Sequence, residues 1–237
     1  MNKLLTTLFA LGVACVTGLA QAQAPAPAPA AAAPPKVGTP APAGAKSLQA
    51  KVAMCIGCHG IKGYQASFPE VYRVPMISGQ SADYIAAALG AYKSGDRKHP
   101  TMRGIADSLT DQDIKDIAAY YSTNGAEGPE VPAGPRQPAA PSPQVAALLN
   151  KAACASCHGA DFSRPIANYP KIAGQHGDYL FAALRAYKTE NNPTMGRNNA
   201  VMGAIAKQFS NAELKLLSNY VSSLDGDLKT MPEPKFR

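Results

Sequence analysis

The sequence predicts an all-α fold built as two tandem domains from one duplicated unit. Three observations carry that prediction. Apolar residues recur at helical spacing behind cap-forming residues, the segments of one half return in order in the other, and no alternating strand pattern stands between them. The chain of 237 residues is long enough for two small domains.

Met1 to Ala22 reads as a secretory signal. Lys3 supplies the positive start, Leu4 to Leu19 the apolar run, and Ala20-Gln21-Ala22 a small-x-small cleavage site. Cys15 lies inside that run and is expected to leave with it. Residues 23–45 are almost entirely Ala, Pro and Gly, so frequent prolines block helix and sheet and the stretch reads as a tether. The first domain is expected over residues 46–126. A helix from Ser47 to Cys58 opens it, and Ser81-Ala82-Asp83 caps a second helix running to about Tyr92. Thr110-Asp111-Gln112-Asp113 caps a third, with Ile114, Ile117, Ala118 and Tyr121 on one face and Asn124-Gly125 at its end. Residues 127–142 are again rich in Pro and Gly and read as a linker. The second domain, 143–226, starts with the Ser142-Pro143 cap of a helix from Gln144 to Cys154. Ser210-Asn211-Ala212-Glu213 is a capping box for its last helix, and residues 227–237 form a tail.

Inside this framework Cys55-Ile56-Gly57-Cys58-His59 is matched by Cys154-Ala155-Ser156-Cys157-His158. Cys-x-x-Cys-His is the attachment pattern for haem c. Two thiols on one helical turn can both form thioethers to one porphyrin, and the following His then offers an imidazole nitrogen to the iron. A thioredoxin-like pair needs no His and sits in a βαβ setting. A zinc site would have to combine cysteines from two separate self-similar blocks. The pattern therefore points to two covalently bound haem c groups on Cys55, Cys58, Cys154 and Cys157, with His59 and His158 as iron ligands. Once the signal is removed, no cysteine remains for a disulfide or a thiolate ligand. Each domain is small for a self-sufficient core, so the haem is expected to be structural as well as redox-active.

The opposite iron ligand must be argued from the repeat. Met54 adjoins Cys55 and cannot reach the other face, while the twin of Met76 is Lys171. Met102 returns in register as Met202, which selects that pair; His99 is the rival for the first haem and Met195 for the second. Pro75 and Pro170 occupy matching places where a proline carbonyl would accept the proximal His N–H. Gly79-Gln80 and Gly174-Gln175 also repeat, with no expected role beyond a turn into the helix.

The formal net charge is +7, but it is scattered. The first domain has nine Lys/Arg against seven Asp/Glu, the second eight against five. Without a basic block or a basic stripe with interleaved aromatics, nucleic-acid binding is unsupported. Lysines near a haem edge could still steer an acidic redox partner.

The twin Cys-x-x-Cys-His-Gly motifs, Pro-x-Ile-x-Gly-Gln, the Tyr-Lys helix ends and Met-x-x-Ile-Ala together resemble the dihaem cytochrome c4 family, over nearly all of residues 46–226. That resemblance implies two tandem cytochrome c domains, each a small helical fold around one covalently bound haem c. It also implies a periplasmic electron carrier, not an enzyme, that feeds a terminal oxidase or reductase and is often associated with the membrane. Expected partners are redox proteins such as a membrane-bound oxidase, a quinol–cytochrome c reductase or a dehydrogenase. The alternatives are a cytochrome subunit of a dehydrogenase and a dihaem peroxidase or sulfur-oxidising enzyme. The aromatic-rich loop from Tyr64 to Val74 departs from its shorter twin.

Overall fold

The computed structural model describes residues 46–125 and 140–232. The signal, the tether and most of the linker lie outside the described residues.

The attachment segment of the first half is α1, Leu48–His59, capped by Ser47, whose hydroxyl accepts from the Ala50 N–H. A hairpin of two-residue strands follows, β1 (Gln65–Ala66) paired antiparallel with β2 (Tyr72–Arg73). Then come α2 (Ala82–Ser94), β3 (Arg97–Lys98), α3 (Pro100–Asp107) and α4 (Asp111–Thr123). Ser81 caps α2 and the Thr110–Asp113 capping box opens α4. The chain leaves α4 through Gly125 at φ 84°, a left-handed turn that glycine adopts without strain.

The second half repeats the order as α5 (Pro143–Lys151), α6 (Ala155–His158), α7 (Gly177–Ala186), β4 (Gly196–Arg197), α8 (Ala200–Ala206) and α9 (Asn211–Ser223). In each half the middle helix packs on the last one, α2 on α4 and α7 on α9. Val52, Leu89, Ile117 and Tyr121 centre the first core; Leu148, Phe209, Leu214 and Leu217 centre the second. The repeated Tyr-Lys helix ends also have a purpose. Lys93 Nζ donates to the Leu109 carbonyl and Lys188 Nζ to the Phe209 carbonyl, both at 2.7 Å, closing the loop before each last helix.

One expectation is corrected, and two features add to the sequence reading. The helix expected from Gln144 to Cys154 stops at Lys151, because Ala153 turns to φ 48° and a left-handed residue cannot continue a right-handed helix. Strands are present, though each is only two residues long, too short for any alternating pattern to appear in sequence. The chain beyond residue 226 also packs back: Leu228 is buried, and Lys229 N donates to the Ser78 carbonyl at 3.0 Å. Residues 227–232 thus strap the last helix to the first half.

The two halves share an extensive seam, and its central bonds are reciprocal. Gln80 Nε2 donates to the Lys171 carbonyl while the Lys171 N–H donates to Gln80 Oε1, both at 2.9 Å. Gln175 does the same to Met76, donating to its carbonyl at 2.9 Å and accepting its N–H at 3.0 Å. Both glutamines are buried, so each amide NH2 is satisfied only because the other half supplies a backbone carbonyl. Their preceding glycines, Gly79 at φ 83° and Gly174 at φ 71°, make the turns that aim them. β3 of one half also pairs antiparallel with β4 of the other. The long hairpin adds Arg73 Nε to Asp178 Oδ2 at 3.0 Å and an ion pair between Glu70 and Arg185.

Candidate haem sites

Each Cys-x-x-Cys-His motif ends a helix whose first residues are anchored in a core. In the first half α1 is held by Val52 in the core and by Lys51, whose Nζ lies 2.9 Å from Asp113 and 2.5 Å from Asp116 of α4. In the second half the turn at Ala153 delivers the short α6. Both attachment segments line one continuous cavity of about 710 Å³, which is walled mainly by apolar side chains. None of Cys55, Cys58, Cys154 and Cys157 is in a disulfide, and burial pushes the Cys55 thiol up to about 11 and raises that of Cys154 as well. Buried, protonated thiols of this kind are poor redox nucleophiles, unlike those of a thioredoxin-like pair.

The two histidines have the same environment. His59 Nδ1 lies 2.8 Å from the Pro75 carbonyl and His158 Nδ1 lies 2.9 Å from the Pro170 carbonyl. A carbonyl can only accept, so Nδ1 carries the proton and Nε2 keeps its lone pair. Burial lowers the pKa of both rings, against the opposing pull of the proline carbonyls, and so favours the neutral form. A neutral imidazole oriented through Nδ1 is the form that binds a metal.

Met102 on α3 and Met202 on α8 both line the same cavity. Their helices start alike: His99 Nδ1 accepts from the Met102 N–H at 3.3 Å, and Asn199 Oδ1 accepts from the Met202 N–H at 2.9 Å. His99 therefore stands where the second half has an ordinary helix cap, with one ring nitrogen committed to the backbone. Met195 does not line this cavity, and Met54 and Met76 do. His176 is half-buried at the start of α7 and makes no side-chain cap bond there. Sequence reasoning passed over α3 and α8 as helices. Pro100 at the first helical position after His99, and Asn199 before Ala200, were the available signals.

The residues present fit a covalently attached, largely apolar macrocycle in each half. A long cavity lies where a core should be, with a thiol pair and an oriented neutral imidazole at each attachment segment. Among the described residues no three His, Cys, Asp or Glu converge to hold a metal ion by themselves, so the two motifs do not join in a zinc-type cluster. Two arginines, Arg97 and Arg197, also reach this cavity and were not singled out from sequence.

The comparisons agree with this geometry. The cytochrome c family model matches residues 41–124 and again 144–225. Cytochrome c4 of Stutzerimonas stutzeri is 31% identical over 191 residues, covering 76% of this chain and 89% of that protein. The thiosulfate dehydrogenase electron acceptor of Stutzerimonas stutzeri (strain A1501) is 30% identical over 179 residues, covering 72% of this chain and 78% of that protein. The crystal structure of reduced recombinant cytochrome c4 from Pseudomonas stutzeri superposes with a TM-score of 0.54 at 28% identity, over 75% of this chain and 97% of that one. The chain belongs to the cytochrome c4 family, electron-transfer proteins rather than enzymes, with two tandem cytochrome c domains that carry two covalently bound haem c groups.

Proposed function

We propose that this protein carries single electrons between respiratory-chain components in the periplasm, toward a terminal oxidase or reductase. The observation that carries the reading is the doubled arrangement of His59 with Pro75 and His158 with Pro170, with Met102 and Met202 lining the same cavity. Haem c supplies reversible one-electron exchange at iron. The chain's own residues do the rest. Cys55 with Cys58, and Cys154 with Cys157, would tether the groups, and His59 and His158 would ligate the irons through Nε2. Met102 and Met202 would supply the second protein ligand to each iron, which would keep substrates off the metal and favour the reduced state over bis-His ligation. Pro75 and Pro170 hold the proximal rings in orientation. The domains run over residues 46–126 and 143–226, preceded by a cleaved signal at 1–22 and a tether at 23–45, with the linker at 127–142 between them.

A second reading has one specific support. Similarity to a thiosulfate dehydrogenase electron acceptor favours a role as the acceptor for a dehydrogenase, which uses the same two domains. Among the described residues no helix is long and apolar enough to cross a membrane.

The test is near-infrared spectroscopy of the ferric protein, where a band characteristic of Met–Fe(III) ligation is expected, combined with a redox titration. Met102→Ala should abolish that signature for one haem and Met202→Ala for the other. A variant that keeps both signatures overturns the ligand assignment for its haem, with His99 and Met195 next in line.

A further inference from the structure

Tyr121 of α4 and Val221 of α9 are structural twins. The Gly79 N–H donates to the Tyr121 carbonyl at 2.8 Å and the Gly174 N–H to the Val221 carbonyl at 3.0 Å, so each residue stands at the same turn of its own last helix. Both side chains border the large cavity. What differs is the hydroxyl. Tyr121 is only 3% exposed, and its phenol oxygen is buried with no hydrogen-bond partner. It belongs to the core against which Cys55 packs, and it pulls the Cys55 thiol down in partial opposition to burial. The influences on the counterpart, Cys154, are burial, its own backbone and Cys157, with no phenol among them.

A buried hydroxyl without a partner is costly, so the Tyr121 phenol demands an acceptor. Burial, ahead of the neighbouring Cys55, raises the phenol above its ordinary 10, so it keeps its proton and remains a donor. Among the described residues one other buried hydroxyl is unpaired, that of Ser163, and it does not border the cavity. On α9 Ser218 lies one turn before Val221 and does border it, but its hydroxyl is spent on the Leu214 carbonyl at 2.7 Å. The acceptor for Tyr121 must therefore come from the cavity side. A free thiol competes as a donor, whereas a thioether has no S–H and can only accept. Attachment through Cys55 thus turns the sulfur beside Tyr121 into the partner that the hydroxyl lacks.

We propose that the Tyr121 hydroxyl donates to the Cys55 sulfur when that sulfur carries haem, which makes Tyr121 a positioning and tuning residue of the first haem alone; this rests on the dihaem reading above. The lever is a hydrogen bond to the attachment sulfur rather than a change of iron ligand. An O–H dipole aimed at that sulfur sets its positive end toward the macrocycle, which stabilises the state with one more electron. Val221 has no hydroxyl, so the second haem receives nothing equivalent. The two halves become unequal at a place where their backbones are alike.

The test uses the full chain with both haems attached, counted by the pyridine haemochrome spectrum. A redox titration followed by NMR separates the haems, each assigned by contacts of its methyl groups with α4 or α9. Tyr121→Phe keeps the ring and removes one oxygen. It should reduce the equilibrium constant for electron uptake at the first haem by about threefold and leave the second haem unmoved. An equal shift at both haems, a rise at the first, or no change in a protein with two haems overturns the role of Tyr121 alone. Resonance Raman spectra of the unaltered protein give a second readout, which stands even if Tyr121→Phe loses haem. The thioether C–S band of the first haem should move on transfer to D2O while that of the second stays; two bands that respond alike sink the hydrogen bond. An unaltered protein that lacks two haem c groups sinks the dihaem reading beneath it.

Discussion

At the scale of single residues the most consequential bonds are those of Gln80 and Gln175. A side-chain amide can donate and accept at once, which is why one glutamine can satisfy both the N–H and the carbonyl of a residue in the other domain. Each Oε1 also accepts the next backbone N–H of its own chain, from Ser81 or His176, at 3.0 Å. Truncation would leave two buried backbone groups without partners on the far side of the seam. Gln80→Ala is therefore expected to cost about 1–3 kcal/mol of domain docking, and Gln175→Ala about as much. Differential scanning calorimetry would read this as one transition separating into two; a variant that unfolds like the parent would show the pair to be incidental. That this Gly-Gln repeat mattered was legible in the sequence, but its purpose was not. Its partners are the backbones of Met76 and Lys171, and backbone groups carry no sequence signature.

At the scale of elements the two halves differ in how the attachment helix is held. α1 is pinned to α4 by Lys51 between Asp113 and Asp116, while the second half has Asn150 at the position of Lys51 and no such pair. The hydrogen bond from Lys51 leads the causes that hold the Asp113 carboxyl well below its ordinary 3.8, and the Thr110 cap bonds add to it. Hydrogen bonds to Asp116 and then Asp113 raise Lys51 above 10.5, against the desolvation that burial brings. A depressed carboxyl contributes its stability fully above the unfolded value and loses it as pH falls toward the folded one; a raised lysine contributes below 10.5 and loses it above. The tie is thus complete from about pH 4 to about pH 10. Lys51→Met should lower the stability of the first domain within that window and flatten its decline in acid. Thermal unfolding measured from pH 2 to pH 7 would check this, and an acid limb as steep as the parent's would count against it. The helix caps at Ser81, Thr110 and Ser210 were readable because capping is local chemistry within four residues. The break of α5 at Ala153 was not, since nothing in Ala152-Ala153 forbids a helix.

At the scale of the whole molecule the halves are joined by the seam and by the strap after α9. Leu228 is buried, Lys229 pairs with Ser78, and Lys229 Nζ reaches the Gly125 carbonyl at 2.9 Å. A chain ended at Gly226 should lose the burial of that leucine and its neighbours, about 2–3 kcal/mol, chiefly from the first domain. Hydrogen exchange should then show faster opening around Ser78 and the end of α4, with α7 and α9 unchanged; uniform protection would mean that the strap is dispensable. The same arrangement bears on electron traffic. One continuous cavity runs along both attachment segments, and Arg97 of one half and Arg197 of the other both border it.

What the sequence determined by itself was everything that depends on short spacing or on repetition. The Cys-x-x-Cys-His motifs, the helix caps, the doubling of the domain and the registered pair Met102 and Met202 all lie within one turn of helix or one repeat. Only the tertiary structure decided what meets across the seam. Arg97 lies exactly one hundred residues from Arg197 in the numbering, yet five extra residues in the second half hide that equivalence from the helix register set by Tyr92 and Tyr187. Both donate to the Tyr179 oxygen, a convergence that is a property of β3 and β4, strands too short to carry a pattern. Local chemistry is written in adjacent residues, but the partner of a buried charge is chosen by packing, which joins residues that the sequence keeps far apart.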